Sequence, residues 1–386
     1  MTQRVTLGAD RLPAWIQSRG YKRIGLLTNP TGIDGKFVST IEVCRSLEGV
    51  ELAALFAVEH GIRGEKQAGV TFEDEIDPKL QLPVYSLYGS RRRPTKEMLE
   101  AIDAVVFDIQ DVGVRFYTYL TSLVHVMQAC AEHDKDVIVL DRPNPLGGKV
   151  EGGLLKDGYA STVGVCRMPY RTGMTIGEFA RYANDELKIG CDVHVVPMEG
   201  WNHSMEFPQT GLHWLPPSPN LPTIDAVRVY AGTCLFEGTN MSEGRGTTRP
   251  FELIGAPWLN NEAACDQLNK LNLPGIYFHP YPFTPVFSKH AGELCRGIHL
   301  IVTDPESFDA VTSALHVLHV ISQHHPEEFA WRERPGGKPF VDLLSGSDLV
   351  RTHVHTEEGL VRIIDEYERD VSLWHAIRKR YLLYEE

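Results

Sequence analysis

The chain has 386 residues, of which 42% are apolar and 23% charged, and its formal net charge is −13. This length allows two domains or one large one, and the composition is that of an ordinary globular protein. The acidic balance argues against a nucleic-acid partner. The first residues contain no apolar signal segment, and no apolar run approaches the ~20 residues of a membrane span. We therefore expect a cytoplasmic protein that does not span a membrane.

The seven cysteines form no C-x-x-C pair, and their number is odd. A zinc ribbon or a disulfide framework is therefore a poor interpretation of the pattern. Buried, reduced thiols are the better one.

Five short apolar runs in the first part of the chain each end in a polar loop rich in glycine or proline. These strand–loop units span residues 23–32, 51–61, 83–89, 103–113 and 136–148. Helical spacing of apolar residues over 38–47 and 118–133 separates some of them. Alternating apolar strands and helices predict a parallel sheet that is covered on both faces.

The composition changes after about residue 150. A helix is predicted at 175–187, with Thr175 and Glu178 as a capping box, and a strand at 192–198. Further predicted features are a proline-rich segment at 214–223, a glycine-rich loop at 235–252, a strand–helix unit at 297–323 and a C-terminal helix at 357–384. We therefore expect a doubly wound, mostly parallel α/β domain over 1–150 and a mixed α/β auxiliary domain over 151–386.

The loops after the five strands are expected to share one edge of the sheet. Ligands of open α/β sheets bind beyond the carboxyl ends of the strands. The loop sequences TNPTG, EHGIRG, YSLYG, DIQDVGVRF and DRPNPLGG would then form one rim.

Glu59 and His60 follow the second of these strands. A carboxyl group at a strand end can serve as a general acid or base, and the imidazole can hydrogen-bond a substrate. The alternative is a salt bridge from Glu59 to Arg63 in a turn made by the nearby glycines. Both interpretations stay open at this point.

The segment FDIQDVGVRFY combines two carboxylates with an arginine and aromatic rings. Such a set suits a sugar site, where rings stack on the sugar and polar groups bind its hydroxyls. For Asp111 we favour this functional role. Asp108 is expected instead to accept hydrogen bonds from the backbone.

Two further loops carry candidate ligands. In LDRPNP the prolines restrict the backbone, so that Arg142 and Asn144 are ligand candidates, while Asp141 is expected to cap the loop. The loop FEGTNMSEGRGT has a density of polar groups that favours function over a surface loop that folds on itself. Its candidates are Glu237, Asn240, Glu243 and Arg245.

Common cofactor and nucleophile motifs are missing from the sequence. We find neither G-x-G-x-x-G nor a P-loop, so a dinucleotide cofactor is not supported. There is also no H-E-x-x-H and no G-x-S-x-G. We therefore predict no cofactor and no metal site.

Taken together, the motifs resemble a known family. EHGIRG, YSLYG, FDIQDVGVRFYTY, LDRPNPLGG, PSPNLPT and LFEGTNMSEGRGT occur in this order, and the resemblance covers residue 20 to the C-terminus. The chain resembles the exo-β-N-acetylmuramidase family of glycoside hydrolases, formerly a domain of unknown function. The resemblance implies a Rossmann-like domain, an auxiliary domain and a cleft between them. It also implies release of N-acetylmuramic acid from the non-reducing ends of peptidoglycan fragments.

The resemblance implies Glu59 as the catalytic acid. For the second carboxylate we favour Asp111, with Glu237 and Glu243 behind it. The lactyl carboxylate of N-acetylmuramic acid needs a cation, and the candidates are Arg63, Arg115, Arg142 and Arg245. The full predicted substrate-binding set comprises His60, Arg63, Gln110, Arg115, Tyr117, Arg142, Asn144, Asn220, Glu237, Asn240, Glu243 and Arg245.

Several alternatives remain open. Glycoside cleavage through an enzyme nucleophile, an activated water or the substrate's own acetamido group are all compatible with these residues. Two other functions are a metal-assisted phosphoesterase built on the aspartates and a non-catalytic receptor for muropeptides. The number of acidic residues on the rim favours the glycosidase.

Overall fold

The larger sheet of the protein is parallel except at one edge. The computed structural model describes residues 4–64, 70–334 and 337–386. The strands are β1 Arg23–Thr28, β2 Glu51–Ala57, β3 Glu75–Ile76, β4 Pro83–Ser86, β5 Ala104–Asp108, β6 Asp136–Leu140 and β7 Val193–Val196. They lie in the order β3-β4-β2-β1-β5-β6-β7, and only β3 is antiparallel to its neighbour. The predicted parallel α/β sheet is confirmed.

Both faces of this sheet are buried, because apolar side chains occupy successive positions of the central strands. In β1, Leu26 packs in a cluster on one face and Leu27 in a cluster on the other. All five residues of β5 are buried. Burial on both faces explains why these strands have continuous apolar sequences rather than alternating ones.

The order of the strands reverses beside β1. From β1 the chain first builds outward through β2 and β4, and it then returns to add β5, β6 and β7 on the other side of β1. This reversal is the switch point at which open α/β sheets form a crevice beyond their carboxyl ends. Because β1, β2, β4, β5 and β6 are all parallel, their following loops lie on one edge, as predicted.

The helices of this part cover the sheet on two sides. They are α1 Gly8–Ile16, α2 Thr40–Arg45, α3 Lys96–Glu100, α4 Thr118–Glu132 and α5 Ile176–Glu186. The predicted capping box is confirmed: the hydroxyl of Thr175 accepts from the backbone N–H of Glu178, whose carboxylate accepts from that of Thr175. This pairing satisfies two N–H groups at the start of α5.

A smaller antiparallel sheet forms the centre of the second part. Its strands are β8 Leu253–Ala256, β9 Ile276–Pro280 and β10 Arg296–Val302, in the order β8-β10-β9. The helices are α6 Ile224–Thr233, α7 Asn261–Lys270, α8 Ala310–His324, α9 Phe340–Ser345, α10 Leu349–His353 and α11 Glu357–Arg378, with short 3₁₀-helices at Phe207–Thr210 and Cys234–Gly238. The apolar cluster on one face of the large sheet continues into this part without a break.

The strand β7 belongs to the large sheet, where it pairs in parallel with β6. The large sheet therefore includes residues beyond 150. The predicted division of the chain at residue 150 stays a prediction.

The C-terminus returns to the first part of the protein. The hydroxyl of Tyr384 donates to the carboxylate of Asp141, at 2.6 Å, and the N–H of Leu383 donates to that of Glu178, at 2.8 Å. Asp141 and Glu178 have no exposed surface. The last residues of the chain thus complete a buried polar network at the carboxyl end of β6.

All seven cysteines are free and buried, as predicted. In the described part of the chain no helix is long and apolar enough to cross a bilayer. The described residues also contain no group of three histidine, cysteine, aspartate or glutamate side chains arranged to hold a metal ion.

Candidate active site

A pocket of about 130 Å³ lies where the loops of the large sheet meet the second part of the chain. Its polar lining includes Glu59, His60, Thr118, Asn220, Glu237 and Arg245. Aromatic rings form much of the remaining wall, namely Phe116, Tyr117, Tyr230, Phe251 and Phe340. Both parts of the chain are needed to build this pocket, and six of the predicted site residues meet in it.

Glu59 reaches the pocket through a tight turn at the end of β2. The turn is closed by a hydrogen bond of 2.9 Å from the Gly61 N–H to the Val58 carbonyl. The two carboxylate oxygens of Glu59 accept hydrogen bonds from different hydroxyls, that of Tyr88 at 2.9 Å and that of Thr118 at 2.9 Å. The carboxylate is therefore held in one orientation at the pocket wall.

His60 occupies a left-handed backbone conformation in the same turn, with φ of 75°. This region is uncommon for a residue with a β-carbon, and such strain is concentrated at functional sites. The His60 side chain is buried and lines the pocket beside Glu59. The turn thus directs two adjacent polar side chains toward the same space.

The second part of the chain contributes a charged cluster. Arg245 donates to Glu237 at 3.0 Å and forms an ion pair with Glu243, from which its Nε lies 3.1 Å, and Lys289 lies 2.8 Å from the second oxygen of Glu243. Burial alone would lower the pKa of Arg245, but the carboxylates of Glu237 and Glu243 outweigh burial and raise it. Glu237 and Arg245 line the pocket, whereas Glu243 is buried behind them.

Tyr117 places a phenol against the pocket. Its ring packs edge-on against that of Tyr119, with centroids 4.8 Å apart. Its hydroxyl is buried and makes no hydrogen bond to the residues that the structure describes. Burial raises the pKa of Tyr117, and Tyr119, Tyr230, Asp111 and Glu59 raise it further. A buried phenol without a partner is available as a donor to a bound ligand.

Asp111, the predicted second carboxylate, lies outside the set of residues that line the pocket. One of its oxygens accepts the Gly113 N–H at 2.7 Å, and the other is buried without a hydrogen bond to the described residues. Burial raises the pKa of Asp111 to about 7, although the N–H groups of Gly113 and Val112 oppose the shift. Burial thus favours the protonated form of Asp111 relative to an exposed carboxyl group.

The structure does not bring Arg115 or Arg142 to the pocket surface. The guanidinium of Arg115 is fully buried and donates to three backbone carbonyls. Arg142 is 4% exposed and forms a two-pronged ion pair with Asp108, at 2.6 and 2.8 Å. The geometry gives no support to the expectation that these arginines contact a ligand in this pocket, because the guanidinium groups of both bond the scaffold. Asp108 was expected to accept from the backbone and instead holds Arg142.

The predicted amide ligands Gln110 and Asn144 are also committed to the protein backbone. The side chain of Gln110 donates to the carbonyls of Asp111 and Pro143, each at 2.8 Å. Asn144 donates to the carbonyl of Met174 and accepts the N–H of Leu146. Both amides fix the loops after β5 and β6, and neither lines the pocket.

Arg63 and Asn240 point away from the pocket. Arg63 is an exposed side chain that pairs with the buried carboxylate of Asp77. The sequence had left open a salt bridge between Arg63 and Glu59. In the structure the Arg63 guanidinium pairs with Asp77 instead. Asn240 bonds the backbone of Glu328 and Ala330. These two residues thus stabilise loops near the site rather than its surface.

Sequence reasoning missed the hydroxyls that orient Glu59. Tyr88 lies in the YSLYG loop, which was expected on the rim, but no role was assigned to its side chain. Thr118 is the first residue of α4. The sequence places one of these hydroxyl groups in a rim loop and the other just after one, and this position could have identified them as site residues.

The fold and the pocket define a two-part α/β protein with a carboxylate-bearing, aromatic-walled pocket at the switch-point edge, an arrangement typical of an enzyme site. The family model described as "Exo-beta-N-acetylmuramidase NamZ, N-terminal" matches residues 24–225, and its C-terminal counterpart matches residues 228–384. The chain therefore belongs to the exo-β-N-acetylmuramidase NamZ family.

Individual relatives agree with this assignment. The chain is 44% identical over 383 residues to the peptidoglycan beta-N-acetylmuramidase NamZ of Bacillus subtilis (strain 168), covering 99% of this chain and 92% of that protein. Two crystal structures of DUF1343 family proteins from Bacteroides fragilis share the fold. One is 36% identical with a TM-score of 0.89 and covers 99% of both chains, and the other is 33% identical with a TM-score of 0.78 and covers 100% of both.

Proposed function

We propose that the pocket holds a non-reducing terminal N-acetylmuramic acid residue of a peptidoglycan fragment and that Glu59 takes part in cleaving its β-1,4 bond. Exo-β-N-acetylmuramidase activity is the activity of the family, and the relative from Bacillus subtilis is named for it. The observation that carries the proposal for this chain is the carboxylate of Glu59, held by two hydroxyls at the wall of the pocket.

The form of the site supports action at a chain end. Its walls come from both parts of the chain, and its lining is largely buried. A pocket of this kind encloses a single terminal residue, whereas an enzyme that cuts inside a chain needs a groove open at both ends. The aromatic walls suit the apolar faces of a sugar ring.

Glu59 is the proposed general acid. Glycoside cleavage requires a carboxyl group that gives a proton to the leaving oxygen. The hydroxyls of Tyr88 and Thr118 can each donate to the ionised carboxylate, and either one can turn to accept when Glu59 carries the proton. The same two contacts therefore hold the side chain in place through both protonation states.

Glu237 is the proposed second carboxylate. Unlike Asp111 it lines the pocket, where its carboxylate accepts a hydrogen bond from Arg245 at 3.0 Å. This assignment replaces our preference for Asp111 from sequence. Asp111 supports the site from behind its surface, where burial raises its pKa to about 7.

Arg245 is the proposed partner of the lactyl carboxylate. Of the four arginines suggested by the sequence, it is the one that lines the pocket. The Nη2 atom of Arg245 donates to Glu237, and its Nε atom lies beside Glu243. Its Nη1 atom makes no hydrogen bond within the described residues. An Arg245→Lys substitution should therefore reduce discrimination between N-acetylmuramic acid and N-acetylglucosamine at the terminal position.

The test uses the disaccharide MurNAc-β-1,4-GlcNAc without added metal. Wild-type protein and the variants Glu59→Gln, Glu237→Gln and Asp111→Asn are incubated in parallel, and mass spectrometry follows free N-acetylmuramic acid. We expect release by the wild type, loss in Glu59→Gln and Glu237→Gln, and retained activity in Asp111→Asn. Release by the Glu59→Gln variant at the wild-type rate would remove Glu59 as the acid. No release by the wild type, with the disaccharide bound intact, would favour a receptor.

A further inference from the structure

The β9–β10 hairpin exposes an unusual number of large apolar side chains. Within this one hairpin the exposed fractions are 48% for Tyr277, 39% for Tyr281, 80% for Val286, 45% for Phe287 and 64% for Leu294. We call these five residues the hairpin strip. Single exposed apolar residues are normal, whereas five on one hairpin are the concentration expected of an interaction surface.

The two tyrosines lie on one face at the edge of the sheet, Tyr277 within β9 and Tyr281 directly after it. Ile276 and Phe278 alternate with them and are buried in the core, so Tyr277 and Tyr281 point to the opposite side. On the same face the ring of His299 lies 5.7 Å from that of Tyr281. The outer face of this edge of the sheet is therefore aromatic, with polar groups on the rims of the rings.

The tip of the hairpin is attached to the pocket loop. The N–H of Val286 donates to the carbonyl of Gly246 at 2.9 Å. Gly246 has a φ of 82°, and a β-carbon there would lie 2.6 Å from the Phe287 carbonyl oxygen. Gly246 directly follows Arg245, which lines the pocket. The strip thus begins beside the pocket and extends away from it along β9.

Further contacts hold the tip in a fixed position. Lys289 donates to two backbone carbonyls, at 2.8 and 3.0 Å, in addition to its ion pair with Glu243. The flanking residues Ser288 and His290 both have left-handed backbones, with φ of 73° and 58°. Such conformations persist where surrounding contacts enforce them. A rigid apolar projection beside a pocket is suited to binding the part of a ligand that extends out of the pocket.

We propose that the hairpin strip binds the glycan chain that follows the residue held in the pocket. This inference rests on the proposed function. Sugar rings present apolar faces that stack on aromatic side chains and hydroxyls that reach polar groups beside them. Tyr277 and Tyr281 are roughly 13 Å apart along the strand, a span that exceeds one sugar residue. Arg296 at the start of β10 is exposed, and its guanidinium can pair with carboxylates of the bound glycan chain.

The experiment compares substrates of two lengths. The rate constant kcat/KM is measured on MurNAc-GlcNAc and on long peptide-free glycan strands, for the wild type and for the double variant Tyr277→Ser/Tyr281→Ser. The control is Val361→Ser/Leu373→Ser, which removes two exposed apolar side chains from α11. We expect the tyrosine variant to lose roughly tenfold on long strands and to keep wild-type activity on the disaccharide. The control should match the wild type on both.

Binding is measured independently by co-sedimentation of each protein with insoluble glycan strands. We expect the tyrosine variant to bind less than the control and the wild type. An equal loss on both substrates, or no loss on either, would overturn the proposal. Weaker self-association of the tyrosine variant in analytical ultracentrifugation, with unchanged glycan binding, would instead identify the strip as a contact between copies of this chain.

The proposed function and the hairpin strip can fail separately. If the wild type releases nothing from the disaccharide, the glycosidase proposal fails, while co-sedimentation still decides whether the strip binds glycan. If the wild type is active and the tyrosine variant sediments with the strands as the control does, only the strip proposal fails.

Discussion

The loops after β2 and β6 look alike in sequence and differ in what they do. Both place an acid, a guanidinium and backbone-directing glycines or prolines directly after an apolar strand. After β2, Glu59 lines the pocket and is held by side-chain hydroxyls. After β6, Arg142 is buried in an ion pair with Asp108 and bonds the Ile33 carbonyl at 2.7 Å. Polar residues at strand ends therefore identify the edge of the sheet at which the site lies, but they do not show which of these residues face a ligand.

The largest expected effect is a loss of activity without a loss of stability when Glu59 is substituted. Glutamine keeps the shape: its oxygen can accept from one of the hydroxyls of Tyr88 and Thr118 while its NH2 donates to the other, but it cannot transfer a proton. We expect Glu59→Gln to lower kcat by roughly 10²- to 10⁴-fold and to leave the free energy of unfolding within about 1 kcal/mol of the wild type. Rate measurements on MurNAc-GlcNAc and urea denaturation check the two parts. Loss of both activity and stability would place Glu59 in the scaffold.

Arg142 should show the opposite pattern. Truncation to alanine leaves the carboxylate of Asp108 buried without its partner, and breaking a buried pair costs about 3–5 kcal/mol of stability. We expect Arg142→Ala to unfold at much lower urea concentration, while the fraction that remains folded keeps the wild-type KM. Arg23→Ala is the matched control, because Arg23 and its partner Glu51 are 48% and 63% exposed and surface pairs contribute about 0–1 kcal/mol. A raised KM without loss of stability would restore Arg142 as a ligand residue.

Asp111 should make stability depend on pH. Burial raises the pKa of Asp111 from 3.8 to about 7 in the folded protein. As pH rises from about 4 to about 7, the unfolded chain loses this proton before the folded one does, so the contribution of Asp111 to stability falls and then levels off above pH 7.

The substitution Asp111→Asn should remove this dependence. We expect the variant to be more stable than the wild type at pH 8, by roughly 1 to 4 kcal/mol, and to differ little from it at pH 4. Urea denaturation across this range provides the measurement. A difference between the two proteins that stays constant with pH would contradict the assignment to Asp111.

The smallest expected effect concerns the hydroxyls around Glu59. Thr118→Val keeps the shape of the side chain and removes its donor, and one such hydrogen bond is worth about 0.5–1.5 kcal/mol. We expect kcat to fall by roughly 2- to 12-fold with little change in KM. Ser122→Ala, which removes a hydroxyl one turn further along α4, is the control. An equal effect of the two substitutions would show that α4 matters only for packing.

Much of the fold was predictable, because strand–loop units with continuous apolar runs have few alternatives to a parallel sheet. The helix at 175–187 was predictable because its capping box is a local signal. The place of β7 in the large sheet was not, since strand pairing across long sequence distances leaves no local trace. The predicted boundary at residue 150 remains untested, and the matched family models meet between residues 225 and 228.

The candidate site was predictable to the level of its loops. Glu59 and Arg245 were found because their segments are dense in polar groups, and Asn220 because its segment PSPNLPT is one of the motifs of the family resemblance; all three line the pocket. The sequence could not show that Arg115 would be fully buried, because an arginine that donates to carbonyls and one that binds a ligand have the same local sequence. That difference arises only when distant backbone segments pack around the guanidinium.

The bonds of the C-terminal tail have a consequence for how the protein is made. Asp141 and Glu178 leave the ribosome long before the residues that bond them, because Tyr384 lies 243 residues after Asp141 and Leu383 lies 205 residues after Glu178. Until then, the nascent large sheet carries two carboxylates that each lack one of their hydrogen-bond donors, although Thr175 already bonds both of them. The first part of the chain therefore cannot complete this network until residues 383 and 384 have been made, and a truncation before residue 383 would leave each carboxylate with one donor fewer.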